Sequence, residues 1–230
     1  MKKIIFVLLF LILNYSLILA QTESDFAVTL TQDNNGVIIT RYTGNATRLI
    51  IPDTIQGMPV REIGGRGAFA ENRSIFSVVI PEGVTRITGY AFQYCRNLVS
   101  VTLPSSLNEI GGDTFSDTNL LEVIIPPNVV RIGNEAFARC ERLVSIVLPE
   151  GLTEIGDRAF VRCFSLTSIT LPSTITKIGV SAFSDCTTLT TIILPDLLGR
   201  IEFGNNSFQG TKLDLRTQAA LRNIGYTGNF

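Results

Sequence analysis

Residues 143–163 read LVSIVLPEGLTEIGDRAFVRC and contain the unit from which most of the chain is built. Three markers of this unit recur at intervals close to 23 residues: a proline that ends an apolar run, an isoleucine usually six positions later, and a phenylalanine usually five positions after that. The phenylalanines are Phe69, Phe92, Phe115, Phe137, Phe160, Phe183 and Phe208. The isoleucines are Ile63, Ile87, Ile110, Ile132, Ile155, Ile178 and Ile201. Such a period predicts a solenoid whose units stack to share one core.

Each unit is predicted to begin with a short strand, such as residues 98–103, which is rich in β-branched residues and ends before a proline. A shorter extended segment follows, for example residues 84–87. A glycine often comes directly after the marker isoleucine, where we expect the chain to turn. The first unit has five extra residues between Pro52 and Ile63, in a connection where a solenoid tolerates an insertion.

The pattern LxxIxLPxxLxxIGxxAFxxCxxL resembles that of the BspA-like, treponemal type of leucine-rich repeat protein over about residues 46–211. Residues 37–44 resemble the family's opening segment, and residues 217–228 resemble its closing helix and tail. With the period, the resemblance implies an α/β-type solenoid, mainly β. It is a right-handed leucine-rich repeat solenoid of about seven 23-residue units with a parallel sheet, an N-terminal cap and a short C-terminal capping helix. The predicted organisation is a signal peptide over 1–20, an N-terminal cap over 21–45, the solenoid over 46–211 and a C-terminal cap over 212–230.

The first twenty residues have the pattern of a secretory signal peptide. Lys2 and Lys3 precede an apolar run, and a second apolar stretch ends at Ala20 before a polar segment. An uncleaved membrane anchor is the alternative, because about 17 mostly apolar residues is at the short end for a spanning helix. We expect an exported chain with no membrane span after cleavage, which is secreted, displayed at the cell surface or retained in the periplasm.

Composition excludes several classes of function. The chain of 230 residues has no histidine, which removes Ser-His-Asp and Cys-His triads, HExxH zinc helices and every His-ligated metal site. Lys and Arg number 19 against 20 Asp and Glu, a net charge of −1 that gives no electrostatic indication of a nucleic-acid partner. We therefore predict a protein that is not an enzyme, has no cofactor and no metal, and binds no nucleic acid.

Parallel strands lie about 4.8 Å apart, so equivalent residues of successive units form columns. The residues that precede the marker isoleucines alternate in charge over the first six units. They are Glu62, Arg86, Glu109, Arg131, Glu154, Lys177 and Arg200. We interpret this column as a solvated series of salt bridges, since like charges placed opposite each other destabilise a sheet. A catalytic pair of glutamates about 10 Å apart is the disfavoured alternative, because a basic residue lies between them.

The four cysteines, Cys95, Cys140, Cys163 and Cys186, each follow a marker phenylalanine by three residues. Four cysteines in an exported chain would usually suggest disulfides. Cys95 lies two units from Cys140, however, which is too far for a bond, and parallel neighbours point the same way. We predict buried, unpaired cysteines that pack as small apolar side chains, in preference to a thiolate zinc site.

The outward side of the first strand in each unit is the candidate binding surface. If Leu143, Ile146 and Leu148 point inward, then Val144, Ser145 and Val147 point outward. The candidate protein-binding residues are Phe76, Val79, Val99, Leu121, Ile124, Val144, Val147 and Ile193. One interpretation is that β-branched residues simply suit an exposed sheet. The other is that a contiguous apolar stripe marks an interaction surface, which Phe76 and Leu121 favour because they are large and not β-branched.

These observations predict an exported, non-enzymatic binding module whose partner is an extracellular or cell-envelope protein. The resemblance implies adhesion to host matrix proteins, attachment to host cells and co-aggregation. The alternative function is a structural or assembly component of the bacterial cell envelope or periplasm. The sequence predicts neither the ligand's identity nor the oligomeric state.

Overall fold

The computed structural model describes residues 22–65, 67–195 and 201–230. Within them the chain forms a solenoid of about seven turns, built mostly from parallel strands, with one helix near the C-terminus. The predicted signal peptide, residues 1–20, lies outside the described residues. None of the helices in the described part is both long enough and apolar enough to cross a membrane.

The described elements alternate between short strands on two sides of the solenoid. In chain order they are β1 Phe26–Leu30, β2 Val37–Tyr42, β3 Arg48–Ile50, β4 Thr54–Ile55, β5 Met58–Ile63, β6 Ser77–Val79, β7 Arg86–Ile87, β8 Ser100–Thr102, β9 Glu109–Ile110, β10 Glu122–Ile124, β11 Arg131–Ile132, β12 Ser145–Val147, β13 Glu154–Ile155, β14 Ser168–Thr170, β15 Lys177–Ile178, β16 Thr191–Ile193, β17 Glu202–Phe203 and helix α1 Leu215–Asn223.

Two sides of each turn carry different sheets. The three-residue strands form the parallel groups β3-β6-β8-β10-β12 and β14-β16. The longest sheet runs β1-β2-β5-β7-β9-β11-β13-β15-β17 and contains the two-residue strands. In this sheet only β1 against β2 and the side strand β4 against β5 are antiparallel among the described pairings. The five inserted residues of the first unit account for the β4–β5 hairpin, whose turn residues Gln56 and Gly57 both have positive φ.

Successive turns stack in register around one column of aromatic rings. Ile155 pairs with Ile132 on one side and with Ile178 on the other, so equivalent residues lie opposite each other. The seven marker phenylalanines are buried and stacked, with ring centroids 4.7–5.6 Å apart and interplanar angles of 2–16°. The predicted solenoid and its common core are therefore confirmed.

The last turn corrects one sequence prediction. Glu202 pairs with Lys177 and Phe203 pairs with Ile178, so Ile201 is not the seventh marker. Arg200, which we placed in the charge column, lies outside the described residues, and Glu202 occupies that position. The register follows the five-residue spacing to the stacked ring of Phe208, and the two extra residues of this unit precede the strand.

The glycines after the marker isoleucines serve a purpose different from the predicted one. These glycines are Gly64, Gly111, Gly133, Gly156 and Gly179, and none of them has positive φ. A Cβ on Gly156 would lie 2.7 Å from the backbone nitrogen of Asn134 in the preceding turn. Close approach of stacked backbones, and not a special turn conformation, therefore requires glycine here.

Both ends of the aromatic column are covered by other rings. At the N-terminal end the β1–β2 hairpin contributes Phe26 and Tyr42, whose centroids are 5.1 Å apart, and Tyr42 lies 5.3 Å from Phe69. At the C-terminal end Tyr226 packs edge-on against Phe208 at 5.1 Å. An open solenoid would expose its apolar interior at these ends, so the rings close the core.

Helix α1 begins at a capped position and packs its apolar side inward. The side chain of Asp214 accepts a hydrogen bond of 2.6 Å from the backbone N–H of Thr217, which satisfies one free donor of the first turn. Thr217 and Leu221 are buried. The helix therefore belongs to the closure at the C-terminal end.

Candidate functional site

The candidate surface is the outward side of the three-residue strands and of the residue before each, which we call the aliphatic face. Alternation along a strand positions its side chains. Leu143 and Ile146 are buried, whereas Val144 and Val147 are exposed, as the sequence predicts. Leu148, expected to point inward, is only partly buried.

The structure brings the candidate residues onto one face but does not join them in one unbroken stripe. Seven of them are exposed, with Ile124 at 71% and Phe76 at 51%, while Val99 is half-buried. Ile124 pairs directly with Val147 across β10 and β12. Val79 lies between Ile50 and Thr102, and Ile193 lies opposite Thr170. The face is therefore aliphatic with hydroxyl-bearing interruptions.

Charge is nearly absent from the aliphatic face. Arg48 and Glu122 are the only charged residues at the outward positions of these seven strands, all of which are described. A row of hydroxyl side chains runs beside the aliphatic residues. It consists of Ser77, Ser100, Ser145, Ser168 and Thr191. Such a surface offers apolar area and neutral hydrogen-bonding groups.

The two-residue strands present the opposite character, and we call their outward side the charged face. Its column is Glu62, Arg86, Glu109, Arg131, Glu154, Lys177 and Glu202, with signs that alternate throughout.

Ion pairs link neighbours along this column. Arg86 contacts Glu109 at 2.8 Å and Glu62 at 3.6 Å, and Glu154 contacts Arg131 at 3.2 Å and Lys177 at 3.3 Å. The hydrogen bond to Glu109 raises the pKa of the Arg86 guanidinium. The column is thus structural, because Glu62, Glu109 and Glu154, the glutamates of the catalytic alternative, each form an ion pair with a basic residue.

The cysteines lie in the core as unpaired thiols. Each thiol donates to a phenylalanine carbonyl of the turn before it, for example Cys95 to Phe69 at 3.0 Å and Cys186 to Phe160 at 3.1 Å. Burial raises the pKa of Cys95 and of Cys140 to about 12, which disfavours the thiolate that metal binding and nucleophilic attack need. Among the described residues no group of His, Cys, Asp and Glu is placed to hold a metal ion.

Sequence reasoning missed a basic depression at one edge of the aliphatic face, which we call the arginine depression. Its volume is about 770 Å³, and Phe76 and Val99 form part of its lining. Its arginines are Arg48, Arg73, Arg96 and Arg142. Arg73 and Arg96 lie four residues before their strands, and Arg142 lies three residues before its strand. Comparing these two positions across the repeat units would have shown that basic residues recur there.

Asparagine side chains join the turns beneath this depression. The amide nitrogen of Asn97 donates to the carbonyl of Arg73, and that of Asn119 donates to the carbonyl of Arg96, both at 2.6 Å. Each bond links one turn to the next, and the two bonds hold the backbones that carry Arg73 and Arg96.

A family model described as "BspA type Leucine rich repeat region" matches six copies over residues 61–186 and 109–227. Among solved structures, a leucine-rich repeat protein of Treponema pallidum is 33% identical, with a TM-score of 0.86 over 91% of this chain and 98% of that one. A search of curated proteins returned no match.

Two longer proteins are also similar. A leucine-rich cell surface protein from Faecalibacterium prausnitzii is 31% identical, with a TM-score of 0.57 over 76% of this chain and 54% of that one. A leucine-rich repeat protein from Bacteroides ovatus shares the fold at 24% identity and a TM-score of 0.61, over 85% of this chain and 58% of that one. The chain thus spans a little over half the length of these two proteins.

Proposed function

The chain belongs to the BspA-type leucine-rich repeat family, and we propose that it is an exported, non-enzymatic module that binds an extracellular or cell-envelope protein through its aliphatic face. Leucine-rich repeat proteins of this type are generally protein-interaction modules. The specific partner class, host matrix or cell-surface proteins, is proposed from the adhesive roles associated with this family.

One observation carries the proposal: large apolar side chains are exposed on a face that has almost no charge. Ile124 and Val147 are adjacent and both are more than half exposed, and Phe76 is also half exposed. Contiguous apolar area on an otherwise polar molecule is a common feature of interaction surfaces, and the centres of interfaces are depleted in charged residues. The part of the aliphatic face around Ile124 and Val147 fits that description, and the charged face does not.

Export is supported by the basic start, apolar run and small residue of positions 1–20. The similar Faecalibacterium protein is described as a cell surface protein, which agrees with display outside the cytoplasm. A chain without histidine, in a family that is typically non-enzymatic, supports a binding role over a catalytic one.

The test is a triple substitution on the aliphatic face, Phe76→Ser, Leu121→Ser and Val147→Ser. We expect at least about a tenfold loss of binding to immobilised fibronectin or fibrinogen, because removing central apolar contacts of an interface costs the most affinity. Binding is measured by surface plasmon resonance, and circular dichroism checks the fold.

The matched control substitutes three apolar residues that are equally exposed elsewhere: Leu30→Ser, Val130→Ser and Val180→Ser. It should bind as the parent does. Equal binding by the folded face variant and the parent would move the binding surface away from the aliphatic face. A parent that binds neither matrix protein would remove host matrix from the proposed partners.

A further inference from the structure

The arginine depression lies where the aliphatic face meets the connections that precede its strands. Arg73 and Arg96 come from successive turns, Asn119 from the next and Arg142 from the one after. Phe76 and Val99, two candidate binding residues, share the same depression. Basic, amide and apolar groups therefore converge on one concave part of the proposed binding surface.

Among the described residues, three arginines of this depression, Arg73, Arg96 and Arg142, have little or no compensation by carboxylates. Several arginines on the other sides of the solenoid are paired, as Arg139 is with Asp117 at 2.6 Å and Arg158 with Glu135 at 3.5 Å. In the depression Arg96 reaches Asp117 only at 3.8 Å, and its side chain is 67% exposed.

Arg73 and Arg142 are still less compensated than Arg96. No ion pair to Arg73 or Arg142 occurs within the described residues, and both are exposed. The neighbouring carboxylate of Glu141, also among the described residues, is exposed as well and forms no ion pair with Arg142. Exposed guanidinium groups without carboxylate partners are suited to recognise carboxylates from outside.

The remaining lining groups match a polypeptide. Asn97 and Asn119 use their amide nitrogens to donate to backbone carbonyls of the preceding turn. Their amide oxygens remain as acceptors, which suit the backbone N–H groups of an incoming chain. The exposed ring of Phe76 offers a contact for an apolar side chain.

We infer that the arginine depression binds an extended acidic segment of the partner protein, with carboxylates on Arg73, Arg96 and Arg142 and an apolar side chain against Phe76. The inference rests on the proposed function and specifies the chemistry of the partner. Three turn spacings separate Arg73 from Arg142. At about 4.8 Å each they span about 14 Å, the length of four to five extended residues.

A sulfated glycan is the less suitable occupant of the same depression. It would supply anions for the arginines but no apolar side chain for Phe76 and no backbone N–H groups for the asparagine oxygens. An acidic peptide supplies all three, and the observations therefore favour protein.

The probe is a fluorescein-labelled eight-residue peptide that alternates Glu with Leu, followed by fluorescence anisotropy. We expect the parent to bind it, a counterpart peptide with Gln in place of Glu to bind at least about tenfold more weakly, and affinity to fall as salt rises. The variant Arg73→Gln, Arg96→Gln, Arg142→Gln should lose at least about tenfold in affinity.

The control variant removes the same charge at three exposed arginines elsewhere: Arg41→Gln, Arg61→Gln and Arg216→Gln. Its affinity for the acidic peptide should stay within about twofold of the parent's, because salt screens the attraction between the peptide and exposed charges far from the binding site. Four results would overturn the inference. They are no binding by the parent, equal binding of the Gln peptide, equal losses in both variants, and stronger binding of a heparin octasaccharide than of the peptide.

The failures of the two proposals are distinguishable. If the arginine variant loses the peptide but the Phe76, Leu121 and Val147 variant keeps its matrix-protein binding, the proposed function of the aliphatic face is wrong and the arginine assignment stands. If the face variant loses matrix-protein binding while the peptide binds both arginine variants equally, only the arginine assignment is wrong.

Discussion

The charged face and the aliphatic face are built from the same turns at the same spacing. Outward side chains of neighbouring turns pair with each other on the charged face and remain exposed on the aliphatic face. On the charged face every position of the column has an opposite charge on the neighbouring turn, and contacts such as Arg86–Glu109 at 2.8 Å result. On the aliphatic face equivalent positions repeat apolar or hydroxyl groups, so neighbours such as Ile124 and Val147 lie side by side and exposed. In-register stacking lets an alternating column neutralise itself, whereas a repeated column leaves its surface available to another molecule.

The largest expected effect comes from removing the support that the two faces share. Phe137 stacks between Phe115 and Phe160, with centroids 5.4 Å and 5.5 Å away. Phe137→Ala should lower the free energy of unfolding by about 3–5 kcal/mol, because it removes apolar contacts and leaves a cavity in the middle of the column. Chemical denaturation monitored by circular dichroism measures this loss in the free energy of unfolding.

Phe137→Leu is the matched control and should lose less, since it keeps more of the buried volume. A loss below about 1 kcal/mol for the alanine variant would contradict a continuous aromatic column. It would also mean that the charged face and the aliphatic face do not depend on one shared core.

Much of this architecture could be predicted from the sequence because stacking turns a one-dimensional repeat into columns. The phenylalanine spacing gave the ring column, the alternating signs gave the salt-bridge column, and cysteines three residues after phenylalanine gave the buried thiols. Inward and outward positions followed from Leu143 and Ile146. In each case a residue's place in its unit determines its environment.

Three further features could not be predicted, because the repeat pattern does not say which of two competing interactions is stronger or how closely two backbones approach. In the last unit the spacing from Pro195 favours Ile201 as the marker and the spacing to Phe208 favours Phe203, and ring stacking decides for Phe203. The need for glycine at Gly156 comes from a backbone approach that only coordinates show. The arginine depression was missed because its arginines do not share a single position of the unit.

A smaller effect is expected when the alternation of the charged face is broken. Glu109→Lys would put a lysine between Arg86 and Arg131, so that three consecutive turns carry a basic residue in this column. The attraction of Glu109 for its neighbours would be replaced by repulsion between like charges. The side chains of Arg86 and Glu109 are each 47% exposed, so solvent screens the interaction and the loss of stability should be about 1 kcal/mol.

Ser168→Lys is the comparison for Glu109→Lys, because it adds a basic residue to the aliphatic face, where its neighbours Ser145 and Thr191 are neutral. Its effect should stay within about 0.5 kcal/mol. Raising the salt concentration should recover part of the loss in Glu109→Lys and change the stability of Ser168→Lys little. Equal losses for the two variants in thermal unfolding would show that the charge column contributes nothing specific to the fold.

The smallest expected effect tests whether the aliphatic face exists for the fold or for a partner. Ile124→Thr keeps the β-branched shape that suits a strand and removes exposed apolar area at a position that is 71% exposed. If the face serves a partner, stability should change by less than about 0.5 kcal/mol, because solvent already covers most of this side chain. Binding to the partner protein should still weaken, since its apolar contact is lost. A clear loss of stability with unchanged binding would instead mean that the aliphatic residues of this face, like the charges of the other, are there to hold neighbouring turns together.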